Sequence, residues 1–283
     1  MIFLGLSLVS TAAANDTVTV AVSILPQKYF INKIAGDRAQ VEVMVLPGAN
    51  PATYEPKPQQ MAVMTKTSIY FAIGVPFEAI WLKRFADINP GMTVVHTEQG
   101  IEKISLKGKH EHEGTDAHRE GIKDPHIWLS PPLVMTQAAT ILKALIDEDP
   151  SYESQYRANY DTFIDEIKAL DQRIKKIFSD KPKGASFMVY HPSWGYFAEA
   201  YGLEQIPIEL EGKEPSPRDL AELIHQAKEH DVEAIFVQPQ FSMKSAQTIA
   251  KVVGAQVVVA DPLDPNWAEN LLAVAEAFRP FLR

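Results

Sequence analysis

The sequence predicts an α/β protein of two lobes, each built on a parallel sheet, with one long helix between them. The chain has 283 residues, and at about 100–200 residues per domain this length suggests two units. Short β-branched segments alternate with helical patterns in the first half, and the alternation restarts after a long amphipathic stretch. Strands separated by helices of about 10–15 residues pair in parallel, because each helix carries the chain back across the sheet.

The first lobe is predicted to hold four strands, beginning with the run TVTVAVSI. They are residues 17–24, 41–46, 69–73 and 93–97. Helical patterns lie between them, and a further helix is expected over residues 131–146. The intervening segment 103–123 is charged and rich in His and Gly, which is typical of a long exposed loop.

One long amphipathic helix is predicted from Ser151 to about Phe178. Its apolar residues recur at steps of three and four, which is the repeat of a helix face. They are Tyr152, Tyr156, Tyr160, Phe163, Ile167, Leu170, Ile174 and Ile177. At about 1.5 Å per residue this helix spans roughly 40 Å, long enough to connect two lobes.

The second lobe repeats the alternation, with strands and then helices in turn. The strands are residues 186–190, 205–209, 234–237 and 257–260, and the helices are 194–201, 217–230, 243–253 and 266–281. We therefore divide the chain into a first lobe (15–147, with loop 103–123), a linking helix (148–181) and a second lobe (182–283).

Residues 1–14 have the pattern of a cleaved export signal. A short apolar run precedes Ala12, Ala13 and Ala14, and it is shorter than the roughly 20 residues that cross a bilayer. We expect cleavage after Ala14. The chain contains no cysteine, which excludes thiolate metal ligands, disulfides and a lipid anchor on cysteine. These features predict a protein that is free in the periplasm.

Composition and motifs exclude several function classes. A formal net charge of −9 opposes nucleic-acid binding, which needs clustered Lys and Arg. The sequence also lacks H-E-x-x-H, G-x-S-x-G, Walker A and G-x-G-x-x-G patterns. We therefore expect a binding protein and not an enzyme.

Three residues are candidate metal ligands. His126 closes the polar loop in the run D-P-H-I-W-L-S-P, where Asp124 is placed to orient it. His191 and Asp261 each follow a predicted strand, and ligands gather at the carboxyl ends of parallel strands. Two His and one Asp suit zinc. Taken singly, each has an ordinary alternative: a solvated loop histidine, a histidine at a helix end, or a turn aspartate.

Several motifs in order resemble the ZnuA/TroA-type solute-binding proteins of zinc and manganese ABC importers. They are L-P-G-A-N-P at 46–51, Y-E-P-K-P at 54–58, D-P-H-I-W-L-S-P at 124–131, H-P-S-W-G-Y-F at 191–197 and D-P-L at 261–263. The resemblance implies two α/β lobes, a rigid connecting helix, one metal ion in the cleft between the lobes, and delivery to a membrane permease.

The resemblance also assigns the ligand positions. His126, His191 and Asp261 match the second, third and fourth positions, and a histidine at the third resembles the zinc-binding members. This agrees with the preference of zinc for imidazole and of manganese for carboxylate. The first position, normally histidine, is Ala52 here. A water, Glu55 or a histidine of the loop is expected to complete the site.

Two further groups have open interpretations. His110, His112 and His118 of the loop are either a solvated polar segment or, as the resemblance implies, low-affinity metal collectors. A set of three carboxylates is expected to form an acidic rim near the cation: Glu209, Glu211 and Glu214.

The sequence thus predicts a monomeric periplasmic protein that captures Zn2+, with Mn2+ the less suited ion, and delivers it to the permease of an ABC importer. One alternative is a manganese-specific or adhesin-like relative on the same fold. A remote alternative is a zinc hydrolase that uses the open coordination position.

Overall fold

The computed structural model describes residues 17–106, 123–209, 216–241 and 243–282. The expected export signal and His110, His112 and His118 lie outside these ranges, as do Glu211 and Glu214. Among the helices that are described, none is both long enough and apolar enough to cross a membrane.

Within the ranges that the structure describes, the first lobe is a four-stranded parallel sheet with helices packed against it. Its strands, β1 (Val18–Val22), β2 (Ala39–Val43), β3 (Ile69–Ala72) and β4 (Thr93–His96), lie in the order β2-β1-β3-β4. Its helices are α1 (Leu25–Ala35), α2 (Pro58–Met64), α3 (Glu78–Ile88) and α4 (Pro131–Glu148).

The second lobe has the same topology. Its parallel strands, β5 (Ala185–Val189), β6 (Leu203–Pro207), β7 (Ala234–Val237) and β8 (Gln256–Val259), lie in the order β6-β5-β7-β8. Its helices are α6 (Gly195–Tyr201), α7 (Pro217–Glu229), α8 (Lys244–Val253) and α9 (Trp267–Phe278). In both lobes the second strand lies on one side of the first strand, and the third strand lies on its other side. This change of direction opens a crevice at the carboxyl ends of the two central strands.

The long helix α5 (Glu153–Ile177) joins the two sheets. Its apolar face buries Tyr156, Phe163 and Ile174, as the three- and four-residue spacing predicts. The fold class predicted from the sequence is confirmed.

The two lobes share one hydrophobic core, which runs from the first sheet to α9. The ring of Trp267 at the start of α9 meets Phe30 of α1 edge-on, with centroids 5.1 Å apart. Phe30 also contacts Phe163 of α5 at 6.0 Å. A separate cluster covers the outer face of the second sheet. Because apolar contacts bridge the lobes, a hinge motion would expose apolar surface to water, which is unfavourable. We therefore expect only small shifts of one lobe relative to the other.

A buried carboxyl occupies the central crevice of the first lobe. Glu78 accepts hydrogen bonds from the backbone N–H groups of Ile73, at 3.0 Å, and Gly74, at 2.7 Å. The Ser23 hydroxyl also donates to it, and the side chain is nearly inaccessible to solvent. Burial raises the pKa of Glu78 from 4.5 to about 7, against the effect of these hydrogen bonds.

This shift predicts a stability that falls as pH rises. Glu78 keeps its proton in the folded state and loses it more readily in the unfolded chain. Its contribution is therefore fully present below pH 4.5 and is lost as pH rises through about 7. The loss amounts to about 3 kcal/mol at most. Since other groups titrate in the same range, the difference between the parent and Glu78→Gln isolates this residue.

Urea unfolding at pH 5 and pH 8 measures the effect. Glu78→Gln is expected to flatten the pH dependence of the free energy of unfolding, and the exposed Glu276→Gln serves as the matched control. Equal slopes in parent and Glu78→Gln would show that Glu78 titrates alike in both states.

Candidate metal centre

His126 is held by the residues just before it. Its Nδ1 lies 2.6 Å from Oδ1 of Asp124, and the same oxygen accepts the backbone N–H of His126 at 2.8 Å. Asp124 itself is buried, and its N–H donates to the carbonyl of Ile104 at 2.9 Å. The predicted role of Asp124 as the partner that orients His126 is therefore confirmed.

His191 follows β5 and is held in the same way by a carboxylate of its own lobe. Its Nδ1 lies 2.9 Å from Oε2 of Glu209, two residues beyond β6. Phe241 stacks on the imidazole with centroids 4.4 Å apart. Glu209 is only 2% exposed, so the expectation that it forms part of an acidic rim is wrong. It lies beneath the histidine because β6 is the neighbour of β5.

The two imidazoles, one from each lobe, face each other across the cleft. Their ring centroids are 5.2 Å apart and their planes are inclined at 74°. A carboxylate that accepts a hydrogen bond from Nδ1–H fixes the tautomer in which Nε2 carries the lone pair. Both rings therefore present Nε2 as the atom available to a metal ion.

Electrostatics keep His191 uncharged. Its pKa is lowered from 6.5 chiefly by burial, and the nearby His126 lowers it further, although the hydrogen bond to Glu209 acts in the opposite sense. A neutral imidazole is the form that coordinates metal. The ring is thus ready to bind near neutral pH without first losing a proton.

Cross-lobe hydrogen bonds fix the distance between the two histidines. The indole Nε1 of Trp128 donates to the carbonyl of Pro262 at 2.7 Å, and Nε1 of Trp267 donates to the carbonyl of Trp128 at 2.6 Å. The hydroxyl of Tyr196 donates to the carbonyl of Asp124 at 2.9 Å. These bonds tie the segment that carries His126 to the second lobe.

Asp261 lies at the carboxyl edge of the second sheet, just past β8. Its Oδ1 accepts from Nε2 of Gln240 at 2.8 Å and from the N–H of Leu263 at 2.9 Å. Within the described ranges, no three His, Asp or Glu side chains are grouped to hold a metal ion. The structure thus brings His126 and His191 together, and the ligand role of Asp261 stays a prediction.

Ala52, at the position that should carry the first ligand, lies in the exposed loop between β2 and α2. Its N–H donates to Oδ1 of Asn50 at 2.8 Å. Glu55 in the same loop is also exposed. The loop is held against the β3–α3 connection, where the N–H of Phe77 donates to the carbonyl of Pro51 at 3.3 Å.

Three polar residues that support this centre were not predicted from the sequence: Gln238, Gln240 and Tyr196. Gln238 and Gln240 follow β7, the strand between β5 and β8, and that position was the available signal. Tyr196 lies inside the motif H-P-S-W-G-Y-F, but its contact with Asp124, 72 residues earlier in the chain, depends on the tertiary fold.

Comparisons with known proteins agree with this architecture. A family model described as "ZnuA: Zinc-uptake complex component A periplasmic" matches residues 20–278. The chain is 28% identical over 262 residues to the high-affinity zinc uptake system protein ZnuA of Bacillus subtilis, which covers 90% of this chain and 81% of that protein.

Two solved structures give the same result. A crystal structure of ZnuA superposes with a TM-score of 0.87 at 42% identity, covering 94% of this chain and 99% of that one. A ZnuA deletion mutant with zinc bound superposes with a TM-score of 0.86 at 42% identity, covering 94% and 98%.

Proposed function

Because the chain belongs to the ZnuA family of periplasmic zinc-uptake components, we propose that its paired histidines hold the ion that it carries. The protein is a solute-binding component that captures Zn2+ for an ABC importer, and it is not an enzyme. It works together with a membrane permease. The zinc ion is its cargo and not a resident cofactor.

The observation that carries the proposed site is the pair of imidazoles from opposite lobes. Zinc is held by Nε2 of His126 and Nε2 of His191, whose Nδ1 atoms are occupied by Asp124 and Glu209. Asp261 supplies a carboxylate oxygen, since it lies at the same edge of the second sheet as His191. A water or another side chain takes the fourth place of the tetrahedron.

The alternatives are less favoured. Manganese prefers oxygen ligands, whereas the two side chains that meet here are imidazoles. A hydrolase needs a carboxylate or histidine free to act as general base. Asp124 and Glu209, the carboxylates in contact with the two rings, are engaged by Nδ1.

Finer features are proposed on the same basis. The chain acts as a monomer in the periplasm, after cleavage near Ala14, and its two lobes together present the loaded cleft to the permease. Release of zinc then requires that the hydrogen bonds between Trp128 and the second lobe break.

Deletion of the polar loop tests where the tight site lies. The stem of this loop is held in place, because Ser105 and Lys123 form an antiparallel bridge and the N–H of Ile104 donates to the hydroxyl oxygen of Tyr196 at 3.2 Å. A deletion of residues 108–121 thus leaves both ends of the stem close enough to rejoin. We expect the tag-free variant to keep one tight zinc ion per chain and to lose only weaker binding.

Isothermal titration and competition with a zinc chelator measure both classes of binding. Loss of the tight site in the deletion variant would place a ligand in the loop. A parent protein that binds no zinc tightly would contradict the proposed function itself.

A further inference from the structure

The segment Gln238-Pro239-Gln240 links the two ligand-bearing edges of the second lobe. It follows β7, which lies between β5 and β8 in the sheet. His191 follows β5 and Asp261 follows β8. One short turn therefore has a proposed zinc ligand on each side of it.

Gln238 anchors this turn to the His191 side. Its Oε1 accepts the N–H of His191 at 3.0 Å, and its Nε2 donates to the carbonyl of His191 at 2.9 Å and to the hydroxyl of Ser193 at 3.2 Å. The residue is fully buried. With both ends of its amide bonded, Gln238 holds the turn at a fixed distance from His191.

From this fixed turn, Gln240 forms a hydrogen bond with the carboxylate of Asp261. Its Nε2 donates to Oδ1 at 2.8 Å, and only the NH2 end of the amide suits a carboxylate. The N–H of Leu263 donates to the same oxygen at 2.9 Å. Both donors thus converge on Oδ1, and no described residue donates to Oδ2.

We propose that Gln240 is a positioning residue that makes Asp261 a one-oxygen ligand and thereby favours four-coordinate zinc over manganese. The inference rests on the proposed function, since it takes Asp261 as a ligand. Gln240 itself does not touch the ion.

The physical reason is the demand of each ion for oxygen. Zinc is satisfied by four ligands in a tetrahedron, to which Asp261 contributes Oδ2 alone. Manganese is suited to oxygen-rich sites of six ligands, and a carboxylate that chelates through both oxygens helps to supply them. Two donors on Oδ1 oppose chelation, because a metal bond to Oδ1 would compete with them.

Removal of the donor should therefore change selectivity as well as affinity. In Gln240→Met, which keeps the length of the side chain, we expect the Kd for zinc to rise about 10–100-fold, the usual effect of losing a partner of a metal ligand. The Kd for manganese should change much less. The selectivity ratio, which is the Kd for manganese divided by the Kd for zinc, should therefore fall about tenfold or more. Gln240→Glu keeps the shape but lacks the donor when ionised, and it should shift the ratio in the same direction.

The experiment uses the full chain without a tag and titrates Zn2+ and Mn2+ by chelator competition. The exposed Gln256→Met on β8 is the matched control, and Asp261→Ala reports whether the carboxylate binds at all. Co2+ in place of zinc adds a spectroscopic signature, since four-coordinate Co2+ absorbs visible light more strongly than six-coordinate Co2+. The Gln240 variants should give a weaker band than the parent, with melting temperatures that confirm folding.

The possible outcomes separate the two claims. Equal weakening of zinc and manganese, or an unchanged Co2+ band, would overturn the selectivity role of Gln240 while a costly Asp261→Ala leaves the proposed site standing. Unchanged zinc binding in Asp261→Ala would overturn both the ligand assignment and this inference. A lower ratio of the Kd for manganese to the Kd for zinc in both Gln240 variants, with Gln256→Met equal to the parent, supports the selectivity role of Gln240.

Discussion

Replacing His191 with alanine is expected to weaken zinc binding by more than two orders of magnitude, about 3 kcal/mol or more. The substitution removes one of the two imidazoles that meet in the cleft, 5.2 Å apart between ring centroids. It also leaves the buried carboxylate of Glu209 without its hydrogen-bond partner, which is expected to lower the stability of the fold. Only His126 and Asp261 would then remain as protein ligands.

A chelator competition titration measures this loss, and the melting temperature shows whether the variant is folded. The matched control is His225→Ala, a histidine of α7 whose side chain is 66% exposed, which should bind zinc as the parent does. If His191→Ala retained the affinity of the parent, the cleft would not be the zinc site.

Introducing a histidine at Ala52 is expected to tighten zinc binding by one to two orders of magnitude, each worth about 1.4 kcal/mol. Ala52 occupies the position where the resemblance places an imidazole, and the residue is exposed in its loop. A larger side chain therefore meets little steric cost. A third imidazole would complete a tetrahedral site that otherwise takes a water or a mobile group.

Two variants in the same loop sharpen this test. Thr53→His places the ring one residue later, at another exposed position, and should gain little. Glu55→Ala distinguishes the competing case, in which Glu55 already fills the fourth place. An unchanged affinity in Ala52→His together with a costly Glu55→Ala would assign that place to Glu55.

Most of the fold was predictable from the sequence because its signals are local. The β-branched runs and the three- and four-residue steps along α5 report burial directly, so the strands, the long helix and the two parallel sheets were all expected. The shared core was not, because the contact of Trp267 with Phe30 joins residues 237 positions apart. The spacing of apolar residues indicates that a residue is buried, but it does not indicate which other residues it packs against.

The candidate site was predictable to a similar depth. His126 and His191 were marked by strand ends and by motifs, and Asp124 by its spacing of two residues. Glu209 was misjudged because a charged residue at the end of a strand is usually solvated, whereas here its carboxylate pairs with His191, which follows the neighbouring strand β5. The position of Asp261 relative to the two rings depends on the loops beyond β7 and β8, whose geometry is not encoded by any local repeat.

The location of the zinc ion tests the central claim most directly. Crystals of the tag-free chain grown with one equivalent of zinc, measured by anomalous diffraction at the zinc edge, would give that location. We predict one strong peak about 2.0–2.1 Å from Nε2 of both His126 and His191, with Nδ1 of each ring still bonded to its carboxylate. A peak on exposed histidines such as His96 or His225, with none between the two lobes, would contradict the account.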